Sequence, residues 1–260
     1  MRQALAKVRE NREVAESTYR MRLRAPEVAA YAKPGQFVHV RPSPAGEAGT
    51  FSFDPLLRRP LSLLRADPKA GEVEILYDVV GRGTALLARA RVADELDVLG
   101  PLGKPFELAP KTRHALLVGG GIGVVPLIML ARAAIARDVS VTLLAGYQTA
   151  AKAFPTDLIP PEAEYVVTTD DATLGRPGFV TAAVPEYLAW ADQIFACGPV
   201  PMLQALGRLD VPRSTPVQIS MEEHMGCAMG VCLGCVIQTR HGLKRVCRDG
   251  PVFSLREMVW

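Results

Sequence analysis

The sequence predicts a three-part architecture: an N-terminal antiparallel β-barrel, a central parallel α/β domain and a small C-terminal domain built on cysteines. Three observations predict it. The first hundred residues read as short strands separated by turn residues. The middle of the chain alternates continuous apolar runs with helical patterns, as a parallel sheet covered by helices does. Four of the five cysteines fall between positions 227 and 247. The expected boundaries are 1–104, 105–213 and 214–260.

In the first part, residues 3–10 and 18–24 alternate apolar and charged side chains with period two. Residues 36–41 follow a Pro34-Gly35 turn, and 72–80 follow a turn at 68–71. Gly83-Thr84 is expected to open a helix over 85–90 with Thr84 as N-cap, and a strand over 95–99 closes the part. In the second part, strands are expected at 114–118, 139–145, 165–169 and 193–196, and helices at 124–136, 180–189 and 200–209. Residues 211–216, with Pro212 and Pro216, read as a linker to the cysteine-bearing tail.

Composition narrows the function. The 260 residues carry 30 Lys and Arg against 27 Asp and Glu, a net charge of +3, with no basic cluster to mark a nucleic-acid surface. With 49% apolar and 22% charged residues the chain is an ordinary globular one, not a disordered one. Residues 1–7 have no apolar core of the kind a signal peptide needs. The longest uncharged apolar stretch, 115–131, is too short for a membrane span and is broken by Gly119, Gly120, Gly121, Gly123 and Pro126. The expectation is a soluble, cytoplasmic protein that uses neither nucleic acid nor membrane as partner.

The cysteines are spaced Cys227-x4-Cys232-x2-Cys235-x11-Cys247. The first three match the plant-type pattern in which four thiolates hold a [2Fe–2S] cluster. Gly226, Gly230 and Gly234 lie among them, where small residues let the backbone wrap a cluster and aim its N–H groups at sulfur. Met225, Ala228, Met229, Val231 and Leu233 are expected to form an apolar shell that keeps water away. Structural zinc also takes four cysteines but favours paired C-x2-C knuckles, and only one pair here has that spacing. Disulfides need an oxidising compartment, for which the sequence offers no sign. His224 and His241 are surplus to four thiolates and read as loop residues.

Gly119-Gly120-Gly121-Ile122-Gly123 follows an expected strand and opens an expected helix, the setting in which backbone N–H groups receive a dinucleotide's phosphates. It departs from the G-x-G-x-x-G fingerprint, so a tight packing turn is its plain alternative. Cys197-Gly198-Pro199 ends a later strand of the same sheet, on the edge where such sheets bind ligands. Taken alone, Cys197 reads as a small buried residue. In the strand-rich part, Arg58-Arg59-Pro60-Leu61-Ser62 precedes Leu76-Tyr77-Asp78 and then Gly83-Thr84. An arginine beside a helix start makes an anion site suited to pyrophosphate; the plain alternative is a surface Arg pair and a helix cap.

Together, Arg59-Pro60-Leu61-Ser62 with Gly83-Thr84 resembles the flavin signature of the ferredoxin–NADP reductase superfamily. Residues 119–126 and Cys197-Gly198-Pro199 resemble its pyridine-nucleotide motifs. With the cysteine tail and the closing Cys247-Arg248-Asp249-Gly250-Pro251-Val252-Phe253, the whole chain is similar to one branch: the electron-transfer subunits of class 1B, NAD-dependent dihydroorotate dehydrogenases.

The resemblance implies FAD, a [2Fe–2S] cluster held by Cys227, Cys232, Cys235 and Cys247, and NAD as co-substrate. It implies that Arg59, Pro60, Leu61 and Ser62 bind FAD, with Arg59 on the pyrophosphate and Ser62 near the reactive flavin nitrogen. Leu76, Tyr77 and Asp78 would line FAD, and Gly83 and Thr84 would receive its phosphates. Gly119, Gly120, Gly121 and Gly123 would form the nucleotide turn, with Cys197 near the nicotinamide and Asp170 or Asp171 on a ribose. Gly146-Tyr147-Gln148-Thr149 offers no Arg for a 2′-phosphate, which favours NAD over NADP. The implied partner is an FMN-containing catalytic subunit, two of each chain, which oxidises dihydroorotate in pyrimidine biosynthesis; this chain alone would not.

Two alternatives stay open on sequence. One is a related flavin and iron–sulfur subunit of a sulfide dehydrogenase or a ferredoxin:NADP transhydrogenase. Some of those replace a cluster cysteine with Asp, so four cysteines favour the dihydroorotate branch. The other is a zinc-stabilised or redox-sensing binding module without turnover, which would have no use for FAD.

Overall fold

A computed structural model describes residues 1–43 and 54–260. Six strands close into an antiparallel barrel: β1 (Arg2–Ala15), β2 (Thr18–Arg24), β3 (Phe37–Val40), β4 (Arg59–Asp67), β5 (Glu72–Asp78) and β6 (Glu95–Leu102), in the order β1-β2-β5-β4-β3-β6. Two short helices attach to it, α1 (Pro26–Ala29) and α2 (Arg82–Leu87). Alternation builds the interior. Val73, Ile75 and Tyr77 of β5 join Leu61 and Leu63 of β4 in the barrel core, while Leu64 and Leu76 point outward into the next unit.

The second unit is a seven-stranded sheet formed by β7 (His114–Gly120), β8 (Ser140–Tyr147), β9 (Glu164–Thr169), β10 (Arg176–Pro177), β11 (Gln193–Cys197), β12 (Val217–Ser220) and β15 (Val252–Ser254). Its order is β10-β9-β8-β7-β11-β12-β15, parallel except for the last pairing. Helix α3 (Val124–Ile135) is buried along most of its length because the sheet covers one side and β4 of the barrel the other. Helix α4 (Val200–Gly207) starts beyond β11. Between β12 and β15 the chain forms the cysteine loop, a hairpin of β13 (Val236–Thr239) and β14 (Gly242–Arg245), and helix α5 (Val246–Asp249).

The observed architecture is the barrel, parallel α/β unit and C-terminal cysteine region that composition and pattern predict. Several details differ. The boundary expected at 213–214 falls before β12, yet β12 pairs with β11 and β15 with β12, so the cysteine region is an excursion from the central sheet. Helix α2 begins at Arg82, with Gly81 at its N-cap; Thr84 sits at the third helical position, where its hydroxyl accepts the Val80 and Gly81 N–H groups and so caps the helix from inside its first turn. Residues 180–189 form two 3-10 turns, because Pro185 cannot continue a helix. Strand β4 is absent from the sequence expectation, since its Arg59-Pro60 start masks the strand pattern. Among the described residues no helix is long and apolar enough to cross a membrane.

Candidate functional site

The cysteine loop is wound by three left-handed residues, Ala228, Gly230 and Leu233, with φ of 55°, 80° and 59°. These turns point the N–H groups of Met229, Val231 and Cys232 at Cys227 Sγ, each at 3.4 Å. The Cys247 N–H donates to Cys235 Sγ at 3.5 Å. Burial opposes ionisation of Cys227, but these donors and the Cys232 thiol outweigh it and bring its pKa down to about 6. Cys247 is driven the other way, to about 12, by burial and by its bond with Cys235. Of the three loop glycines only Gly230 is demanded by conformation, since a Cβ there would also meet Arg248 Cδ at 2.7 Å. At Gly226 and Gly234 a Cβ would make ordinary contact with Cys232 Sγ.

The thiols therefore stand as two couples, Cys227 with Cys232 and Cys235 with Cys247, since the main-chain N–H of Cys232 donates to Cys227 Sγ and that of Cys247 to Cys235 Sγ. Among the described residues no three His, Cys, Asp or Glu side chains are grouped to hold one metal ion. Two couples, each with main-chain N–H groups aimed at sulfur, fit a two-iron cluster with two thiolates per iron better than a single tetrahedral zinc. The expected apolar shell is only partly there. Met225 and Ala228 are buried, but Met229, Val231 and Leu233 are 41%, 76% and 60% exposed. At Met229 and Val231 the backbone that faces sulfur turns the side chain outward.

On the barrel, the Arg59 guanidinium lies over Gly83 in the first turn of α2, where any side chain at 83 would collide with it. It bonds the Leu57 carbonyl at 2.6 Å, and no carboxylate pairs with it among the described residues. An unneutralised guanidinium at a helix start fits a pyrophosphate. Ser62 lies on the outer face of β4, opposite Phe37 of β3. Leu61, Leu76 and Tyr77 have buried side chains; Tyr77 bonds Asn11 inside the barrel, so of residues 76–78 only Asp78 presents a side chain to open space.

That space is a groove of about 640 Å³ between barrel and sheet, lined by Thr18 and Asp78 on one side and by Gly120, Gly121, Asp170 and Pro199 on the other. Gly121 has φ of +54°, and at Gly123 the Cys197 carbonyl fills the place of a side chain. The glycine turn and Cys197-Gly198-Pro199 are thus packed against each other at the carboxyl edge of adjacent strands β7 and β11. The buried Cys197 thiol approaches Glu222 Oε1 at 3.8 Å, and burial, then the Glu222 charge, pushes it well above its usual range. Apolar walls raise the Glu222 carboxyl as well. Glu222 lines the groove and was not among the expected site residues; it falls just outside β12, where no motif marks it.

Comparison with known proteins bears on all of this. Residues 222–259 match the family model described as the iron–sulfur cluster binding domain of dihydroorotate dehydrogenase B. The electron transfer subunit of dihydroorotate dehydrogenase B (NAD(+)) from Geobacillus kaustophilus (strain HTA426) is 44% identical over 257 residues, covering 97% of this chain and 96% of that protein. The chain belongs to the family of dihydroorotate dehydrogenase B electron transfer subunits. The subunit from Bacillus caldolyticus is also 44% identical over 257 residues, with the same shares covered. Among solved structures, that of an NADH-dependent reduced ferredoxin-NADP oxidoreductase, studied for flavin-based electron bifurcation, superposes with a TM-score of 0.85. It is 29% identical, and the match covers 99% of this chain and 90% of that one. The cysteine region of this electron transfer subunit is part of one chain whose fold superposes on that oxidoreductase along nearly its whole length.

Proposed function

We propose that this electron transfer subunit carries electrons from the FMN of a catalytic partner through a [2Fe–2S] cluster and FAD to NAD+, in the cytoplasmic synthesis of pyrimidines. The observation that carries the reading is the pair of thiol couples lying against the outer face of the barrel whose β4 bears Arg59 and Ser62. Cys235, Cys247, Met225 and Ala228 share one apolar cluster with Phe37, the register neighbour of Ser62.

When bound, the cluster exchanges single electrons, and FAD exchanges them singly with the cluster and as hydride with NAD. The chain's residues supply the placement. Cys227, Cys232, Cys235 and Cys247 would hold the cluster, and the N–H groups of the loop would stabilise its thiolates. Arg59 and the first turn of α2 receive the FAD pyrophosphate, and Ser62 lies toward the flavin ring. Gly119, Gly120, Gly121 and Gly123 let the nucleotide approach the backbone, Cys197 and Glu222 flank the nicotinamide, and Asp170 faces a ribose. Lys152 lines the groove but bonds the Glu16 carbonyl at 2.8 Å, so among the described residues no unengaged cation there favours a 2′-phosphate.

The outward-facing Met229, Val231 and Leu233 form an apolar patch over the thiols, suited to the FMN-bearing subunit in an assembly of two of each chain. The test mixes the FAD- and iron-loaded chain with that subunit. Dihydroorotate-dependent reduction of NAD+ is expected only with both chains present, and Val231→Asp is expected to abolish it while sparing NADH oxidation by dyes. NAD+ reduction by either chain alone would contradict the proposal.

A further inference from the structure

His39 sits where the barrel meets the cysteine loop. Its strand neighbours Val38 and Val40 point into the barrel core, so His39, like Phe37, points out of it. In register it faces Pro60 of β4, between Arg59 and Leu61. On its other side it borders a cavity of about 480 Å³ that Gly226, Cys227 and Met229 also line. The main chains of Met225 and Arg58 approach the ring. Yet the residue is 1% exposed, and among the described residues neither ring nitrogen has a partner in hydrogen-bond geometry. Burial, then the Arg58 charge, lowers its pKa to about 4, so at neutral pH the ring keeps one N–H donor and one bare acceptor.

The Met225 and Arg58 main chains lie near the ring without forming a well-aligned bond, so the buried imidazole keeps a donor to offer a bound group. The open side of the ring faces the cavity shared with Cys227, not the groove that receives the nucleotide. We propose that His39 is a positioning residue for the redox pair, reaching from beside the flavin strand to donate a hydrogen bond to a sulfur of the cluster held by Cys227. This rests on the reading of that loop as a [2Fe–2S] site. A hydrogen bond to cluster sulfur raises the reduction potential, so His39 tunes the cluster toward accepting electrons and links it to the strand that carries the flavin.

The experiment uses the full chain loaded with FAD and cluster, with histidines labelled by 15N. In the reduced protein, pulsed EPR is expected to show 15N coupling to the cluster, lost in His39→Gln and kept in His224→Gln. In unlabelled protein, redox titration is expected to place the cluster potential of His39→Leu below that of the parent, with His39→Gln between them and the flavin potential unmoved. A cluster signal without histidine coupling in the parent protein overturns the proposal, whatever the variants do. An unshifted cluster potential in His39→Leu overturns its tuning role. Absence of any paramagnetic cluster signal would instead refute the assignment of the loop, a distinguishable failure.

Discussion

The Cys197 carbonyl occupies the space that a side chain on Gly123 would need. That single approach holds the glycine turn of β7 against the end of β11 and so fixes the floor of the groove. Gly123→Ala is expected to force the two strand ends apart at a cost of about 1–3 kcal/mol. Denaturant unfolding would measure that loss, and the KM for NADH should rise while FAD content stays near the parent's. A variant of unchanged stability and KM would show that the contact does not shape the groove.

Arg59 and Gly83 make a comparable pair on the barrel, where the guanidinium rests on the first turn of α2. Removing it takes a charge-assisted contact from the pyrophosphate, about 1.5–3 kcal/mol, or roughly 10–150-fold in affinity. Arg59→Ala should therefore lose FAD on gel filtration while the iron content holds. Equal loss of flavin and iron would point to misfolding of the barrel instead.

How far the sequence carried these sites depended on how local each signal was. The four cysteines and the glycine turn stand out as motifs set by local spacing, and Arg59 stands out only through the resemblance of Arg59-Pro60-Leu61-Ser62 to a flavin signature. Glu222 and His39 do not stand out, since each acquires meaning only from a neighbour far away in sequence: Cys197 beside Glu222, and the cysteine loop beside His39. The fold divides the same way. Strands with clear alternation were evident, but β4 opens on Arg59-Pro60, and β12 and β15 are only four and three residues long and are held by pairing onto a sheet begun by β7. The exposure of Val231 was likewise hidden, because the apolar residue type suggests burial while the N–H bond to Cys227 turns its side chain outward.

The cysteine loop is also held from behind. Arg245 bonds Asp249 Oδ2 at 2.9 Å through Nε and the Gly230 carbonyl at 3.1 Å through Nη1. The Arg245 guanidinium lowers the Asp249 carboxyl to about 2. A carboxyl lowered in the folded state adds stability that is present above its unfolded value near 4 and is lost as pH falls toward 2. Asp249→Asn should thus cost about 1 kcal/mol at neutral pH, with the difference from the parent vanishing by about pH 2. Unfolding curves collected across that range check it, and a difference independent of pH would contradict the ion-pair account.

Cys232 is the exposed member of the four thiols, and its main-chain N–H donates to Cys227 Sγ. Cys232→Ser should abolish electron delivery between the partner and NAD while leaving much of the FAD-dependent oxidation of NADH by dyes. Steady-state assays with each acceptor separate the two. Equal loss of both in a folded, FAD-loaded variant would contradict the order of the relay.

The central claim is that thiols and flavin strand serve one electron path. Anaerobic titration of the FAD- and iron-loaded chain with NADH, followed by optical bleaching and low-temperature EPR, tests it most directly. The account predicts that flavin bleaching is accompanied by a reduced [2Fe–2S] signal of one spin per two irons. A flavin that bleaches while the irons stay silent, or stoichiometric zinc in place of iron, would contradict it.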